Sequence, residues 1–203
     1  MSPEEARRKY EESLAALPTE VQETMRALIA NARPRPSIDA LSRSEIEALA
    51  HEDIESAVVA FIGKKLSTST DRAKAIQDLP RGAQIFYLSF IVEAEVMNGG
   101  FNQFFWNSSS EYAELVAPAL NELQASRAAD VFERAFLVAQ SEIKIQAKAK
   151  AVGTLDAFSE SYKETRLNEF DEEFCKEAEH FPALRMQMLQ TNEPVFFPPQ
   201  HEA

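Results

Sequence analysis

Most of the residues able to do chemistry in this chain of 203 residues are carboxylates. The other candidates are three histidines, His51, His180 and His201, and one cysteine, Cys175. The histidines have no metal-like spacing to one another or to Cys175. His180 falls near a helix end, where the helix dipole accounts for it. Cys175, between Phe174 and Lys176, reads as a small core residue rather than a nucleophile. Ser108-Ser109-Ser110 reads as a loop and helix cap before Glu111, with no paired base to activate a hydroxyl. Glu93 and Glu95 with Asn98 could line a polar pocket for a hydrolase, yet nothing there fixes a substrate. The residues therefore predict no catalytic site, no metal and no cofactor, and the chain is read as non-enzymatic.

Charge is the stronger signal. Thirty-three acidic residues face 21 basic ones, a formal charge of −12. Direct binding to nucleic acid is disfavoured, because phosphate contacts need a basic face. No Lys or Arg occurs from Gly82 to Ser126, while Glu93, Glu95, Glu111, Glu114 and Glu122 do. A second block holds Asp156, Glu160, Glu164, Glu169, Asp171, Glu172, Glu173, Glu177 and Glu179 against Lys163, Arg166 and Lys176. A third runs from Glu45 to Glu55 with five acids and no Lys or Arg. Basic residues gather at Arg7-Arg8-Lys9 and at Lys144, Lys148 and Lys150. The plain alternative is that each block is a solvated helix face, partly balanced by i,i+4 pairs such as Glu172 with Lys176.

The elements that must position these groups are all helical. Glycine is scarce, with five residues, and strand-like alternation is missing from the long segments. Pro3 opens a helix to about Leu17, and Pro18 opens another with Val21, Met25, Leu28 and Ile29 on one face. Arg33-Pro34-Arg35-Pro36-Ser37 cannot continue it and reads as a linker. The expected organisation is an N-terminal helical hairpin, residues 1–33, packed on a main all-helical domain, residues 38–203. Ser42 and Glu45 have capping-box spacing before a helical stretch to Leu66, which His51 to Asp53 can split in two. In its second piece Ile54, Val58, Phe61, Ile62 and Leu66 form an inward stripe. Asp71 can cap a short turn, and Pro80 opens a central helix, apolar nearly all round and so buried on most sides. Further helices are expected at 111–124, 126–140, 142–152, 154–162, 164–179 and 182–190, with a kink or a late start at Pro118. The tail from Pro194 to Gln200 is expected to lie extended, with Val195, Phe196 and Phe197 docked on the core.

The central helix, about residues 80–98, is expected to stop at Asn98-Gly99-Gly100. Gly99 can take the left-handed conformation of a C-cap, and Gly100 turns the chain so that Phe101, Phe104 and Phe105 return to the core. Amides at Asn98, Gln103 and Asn107 can hold backbone groups at such a corner. Glu93 and Glu95 sit on different sides of the helix.

This stretch, Glu95-Val-x-Asn98-Gly99-Gly100-Phe101-x-Gln103-Phe104-Phe105-x-Asn107, resembles the signature of the bacterial DNA-mimic protein family, a small all-helical family otherwise carried as a domain of unknown function. The similarity reaches up to Leu79-Pro80 and down through Leu120 and Phe132-Glu133-Arg134-Ala135. It resumes at Leu167-Asn168-Glu169-Phe170-Asp171-Glu172-Glu173-Phe174, like the family's closing acidic motif. It spans Ile54 to about Leu189 with gaps. Cys175 stands where an aromatic residue is common, and residues 1–33 lie outside it.

The resemblance implies a binding protein that imitates the phosphates of duplex DNA and occupies a DNA-binding protein such as a helix-turn-helix regulator. A lone cysteine and a polar start, Met1-Ser2-Pro3-Glu4-Glu5, make the cytoplasm the expected location. Twelve net charges would cover roughly 20 Å of duplex on one face, so a homodimer suits the task better than a monomer. The signature itself is apolar and amide-rich, so it reads as fold-building. The candidate mimic carboxylates are instead Glu111, Glu114, Asp156, Glu160, Glu164, Glu169, Asp171, Glu172 and Glu173. The alternative is a protein-interaction or immunity-type protein of the same fold without mimicry.

Overall fold

The computed structural model describes residues 3–30 and 36–191, and these are helical with no strand among them. The chain divides between Arg35 and Pro36 into two compact units. The first contains α1 (Pro3–Ala15) and α2 (Thr19–Ala30). Pro18 precedes α2, and its carbonyl accepts from Gln22 N–H. Val21 and Met25, expected on one face of this helix, are 42% and 37% exposed. The linker residues 33–35 and the tail residues 194–200 lie outside the described part.

In the second unit Ser42 caps α3 (Arg43–Glu47), its hydroxyl accepting from Glu45 N–H. The capping box is not reciprocal, since the Glu45 carboxylate reaches back to Asp39 N–H and Ala40 N–H. A break at residues 48–50 separates α3 from α4 (His51–Ser67), which buries Ile54, Val58, Ile62 and Leu66. Asp71 caps α5 (Arg72–Gln77) by accepting from Lys74 N–H.

Helix α6 (Arg81–Trp106) follows Pro80 and is the central element, with every residue from Gly82 to Ser89 buried. It does not stop at Gly99-Gly100. It breaks there and resumes, because both glycines leave helical geometry and Phe101 re-enters it. A 3-10 turn (Ser108–Tyr112) leads to α7 (Ala113–Glu122), which runs through an exposed Pro118. α8 (Ser126–Ser141), α9 (Ile143–Val152) and α10 (Leu155–Glu164) follow.

The single helix expected over 164–179 is interrupted. The buried Glu142 carboxylate accepts from Arg166 N–H at 3.0 Å and from the Thr165 hydroxyl at 2.6 Å. Thr165 is thereby held extended, and its oxygen accepts from Leu167 N–H. A 3-10 turn (Leu167–Glu169) then leads to α11 (Asp171–Ala178) and α12 (Phe181–Thr191).

Helices α7, α11, α12 and α4 pack on α6. At its far end Phe101, Phe104 and Phe105 interlock with Phe132 of α8 and Phe174 of α11, ring centroids 5.1–6.2 Å apart. Such mainly edge-on pairs add to the burial of large rings. The far arm of α6 is therefore as deep in the core as the near one.

Candidate functional site

Gly100 sits at φ 66°, ψ −178°, a conformation open essentially to glycine alone. Gly99, expected to be the left-handed residue, has φ −159° instead. What Gly99 supplies is room: the Tyr162 hydroxyl donates to its carbonyl at 2.6 Å, and a Cβ would overlap the Gln103 side chain. At Gly100 a Cβ would overlap the Asp171 carboxylate. That carboxylate accepts from Phe101 N–H at 2.8 Å and so caps the resumed helix from α11. Burial raises the Asp171 pKa above the usual aspartate range, and the Phe101 N–H partly offsets this.

A second tie crosses the break. Glu95 Oε2 accepts from Gln103 Nε2 and Asn107 Nδ2, each at 2.7 Å, and Oε1 accepts from the Ser109 hydroxyl at 2.9 Å. Asn98 Nδ2 donates to Gln103 Oε1. The corner amides thus hold a carboxylate and each other, not the backbone groups expected of them. Ser108 accepts from Arg72, and Ser110 donates to the Asn107 carbonyl.

Glu93 points elsewhere, as its register requires. Arg185 of α12 is fully buried, and its Nε donates to Glu55 Oε2 at 2.8 Å. Its Nη2 lies 2.7 Å from Glu55 Oε2 and from Glu93 Oε2, close ion pairs outside hydrogen-bond alignment, and Nη1 has no partner. The guanidinium lies 5.8 Å from the ring centre of Phe86 and 5.6 Å from that of Phe90. Desolvation raises the Glu93 pKa, and Arg185 opposes the rise. With Glu93 on Arg185 and Glu95 on three donors, neither carboxylate of the imagined hydrolase pocket is free. The only sequence signal for Arg185 was its place amid Leu184, Met186 and Met188.

Of the nine candidate carboxylates, Asp171 is built into the fold. Glu160 pairs with Lys163, Glu169 with Arg166 and Glu173 with Arg134 at 2.7–3.1 Å. The pairing with Arg166 lowers the Glu169 pKa. Glu111, Glu114, Asp156, Glu164 and Glu172 are exposed and carry no ion pair among the described residues. Glu111 lies in the 3-10 turn before α7 and Glu114 in the first turn of α7, Asp156 and Glu164 at the two ends of α10, and Glu172 in the first turn of α11. Cys175 is half-buried against the core, and burial pushes its thiol up. Among the described residues no group of three metal-ligating side chains forms a metal site, and no helix is long and apolar enough to cross a membrane.

The family model of the DMP19-like protein matches residues 77–192. The chain belongs to the DMP19-like family. The DMP19-like segment begins just before α6 and ends just after α12, so it contains the glycine break, the Glu95 bracket and Asp171. It starts later than the resemblance from Ile54, leaving α3, α4 and Glu55 outside it. No significant match is found among curated proteins or among solved structures.

Proposed function

We propose that this protein is a non-enzymatic binding protein whose exposed carboxylates stand in for the phosphates of duplex DNA and occupy a DNA-binding protein, such as a helix-turn-helix regulator. Membership of the DMP19-like family, together with the family's resemblance to DNA mimics, carries the reading. The disposition of the acids supports it. Those that hold the fold, Glu55, Glu93, Glu95, Glu142 and Asp171, are turned inward on named partners. Glu111, Glu114, Asp156, Glu164 and Glu172 are exposed, Glu111 in the 3-10 turn before α7 and the others at helix ends. A homodimer would present two copies of these faces to a two-fold regulator.

The second reading, an interaction or immunity-type protein without mimicry, draws on Arg134, Lys163 and Arg166, which neutralise three of the candidate acids. Capture of partners from host extract on the immobilised protein separates the two. Mimicry requires basic DNA-binding proteins that salt releases and duplex DNA displaces. Neutral partners held through high salt would rule mimicry out. Sedimentation of the purified chain tests the dimer directly.

A further inference from the structure

A groove of about 260 Å³ lies between α8 and α9, close to the size of small-molecule clefts. Phe105 from the resumed arm of α6, Phe136 and Ala139 from α8, and Ile143 and Ala147 from α9 line it. The Phe105 and Phe136 rings stack with centroids 6.0 Å apart and form its wall. Ile143 is 63% exposed, and Leu137, beside Phe136 in α8, is 65% exposed, so large apolar side chains are left in water here.

Lys150 is the one charged residue among the described lining residues. Its ammonium donates to the Phe105 carbonyl at 2.7 Å and so closes the last turn of α6. That bond uses one of three protons, and no carboxylate pairs with the ammonium among the described residues. Burial pushes the Lys150 pKa down with nothing to oppose it. In a chain of net charge −12, an apolar groove whose charge is a half-buried, uncompensated cation is the reverse of its surroundings. Such a cation is best satisfied by an anion that brings apolar surface with it.

The walls also say what kind of anion. They are helices whose backbone groups are bonded within the helix, so an extended peptide laid here would bury amides without partners. A hydrocarbon tail carries no such groups, and one carboxylate matches one cation.

We propose that this groove binds a free carboxylate with a hydrocarbon tail, the tail lying along Phe105, Phe136 and Ile143 and the head on Lys150 Nζ. The site stands whether or not the acidic faces imitate DNA.

The test titrates octanoate, with octan-1-ol as its neutral counterpart, into the full isotope-labelled chain, followed by amide shifts and calorimetry. Saturating shifts within residues 136–150 are expected. The Lys150 side-chain titration should move to higher pH, because a bound anion favours the charged form. Lys150→Met keeps an apolar stem without the charge and should weaken octanoate binding about tenfold, leaving octan-1-ol unaffected. That variant also gives up the bond to Phe105, so a second one is needed. Ala147→Trp fills the groove from an exposed position and should abolish binding with the fold intact. Lys144→Met, which removes an exposed cation of the same helix, should leave binding unchanged. Non-saturating shifts, octan-1-ol binding as tightly as octanoate, or equal losses in the two lysine variants overturn the proposal. So does self-association that shifts the same residues and that octanoate does not reverse, since a second copy of the chain would then fill the groove.

Discussion

Gly100 and Asp171 are 71 positions apart in sequence and touch in space, the first leaving the room that the second fills. Gly100→Ala confronts both a backbone conformation closed to alanine and the Asp171 oxygens. It should lower unfolding free energy by about 3 kcal/mol, read from urea midpoints. Asp171→Asn keeps an acceptor for Phe101 N–H and should cost much less. Glu93 allows a pH prediction whose sign follows from its raised folded-state pKa. Between the unfolded and folded values the native chain holds more of the proton, so this group's contribution to stability grows as pH falls through that window. Wild type should therefore gain on Glu93→Gln as urea unfolding is moved from neutral to mildly acidic buffer. A gain in the opposite direction would mean that Arg185 outweighs desolvation at this site. Neither contact could be read from the sequence, because a carboxylate's partner is a tertiary fact.

At the scale of elements, the helices themselves were largely legible and their ends were not. Pro80, Asp71 and Ser42 gave correct starts because caps and prolines act locally. The break at Gly99-Gly100 was legible as a departure from helix, yet the resumption to Trp106 was not, since it depends on Asp171 and Glu95 supplying partners across the gap. Helix 164–179 was misread for the same reason, with Glu142 as the distant partner. The stretch from Glu95 to Asn107 thus acquires a mechanical account: Glu95, Gln103 and Asn107 are one bracket over a glycine break. Glu95→Ala leaves three donors unmatched and should cost about 2–4 kcal/mol, while Glu95→Gln, which still accepts at one oxygen, should cost less. Amide exchange should report the loss first in residues 101–106. Uniform loosening of the whole chain would instead place the bracket at the centre of folding.

For the whole molecule, the charge that matters is its density. Duplex DNA carries about one charge per 1.7 Å with a condensed ion atmosphere, and a protein that neutralises six to ten phosphates loses roughly 10³–10⁵ in affinity between 50 and 200 mM salt. This chain has a net charge of −12, with three of its candidate acids already paired to cations, so under the proposed mimicry fewer ions would be released when a regulator covers it. Its affinity for a DNA-binding partner should fall with salt on a shallower slope than the partner's affinity for DNA. Competition should accordingly favour DNA at low salt and this protein as salt rises, a crossover that fluorescence polarisation of labelled duplex would detect. An apolar interface would also gain on DNA with salt, and a pair of substitutions separates the cases. Glu111→Gln with Glu114→Gln removes two exposed, unpaired charges and should change stability by no more than about 0.5 kcal/mol. Under mimicry the double variant loses competitive strength at low salt and its salt slope flattens further. If its competition curve superimposes on that of the wild type at every salt concentration, those charges are not read as phosphates by the partner.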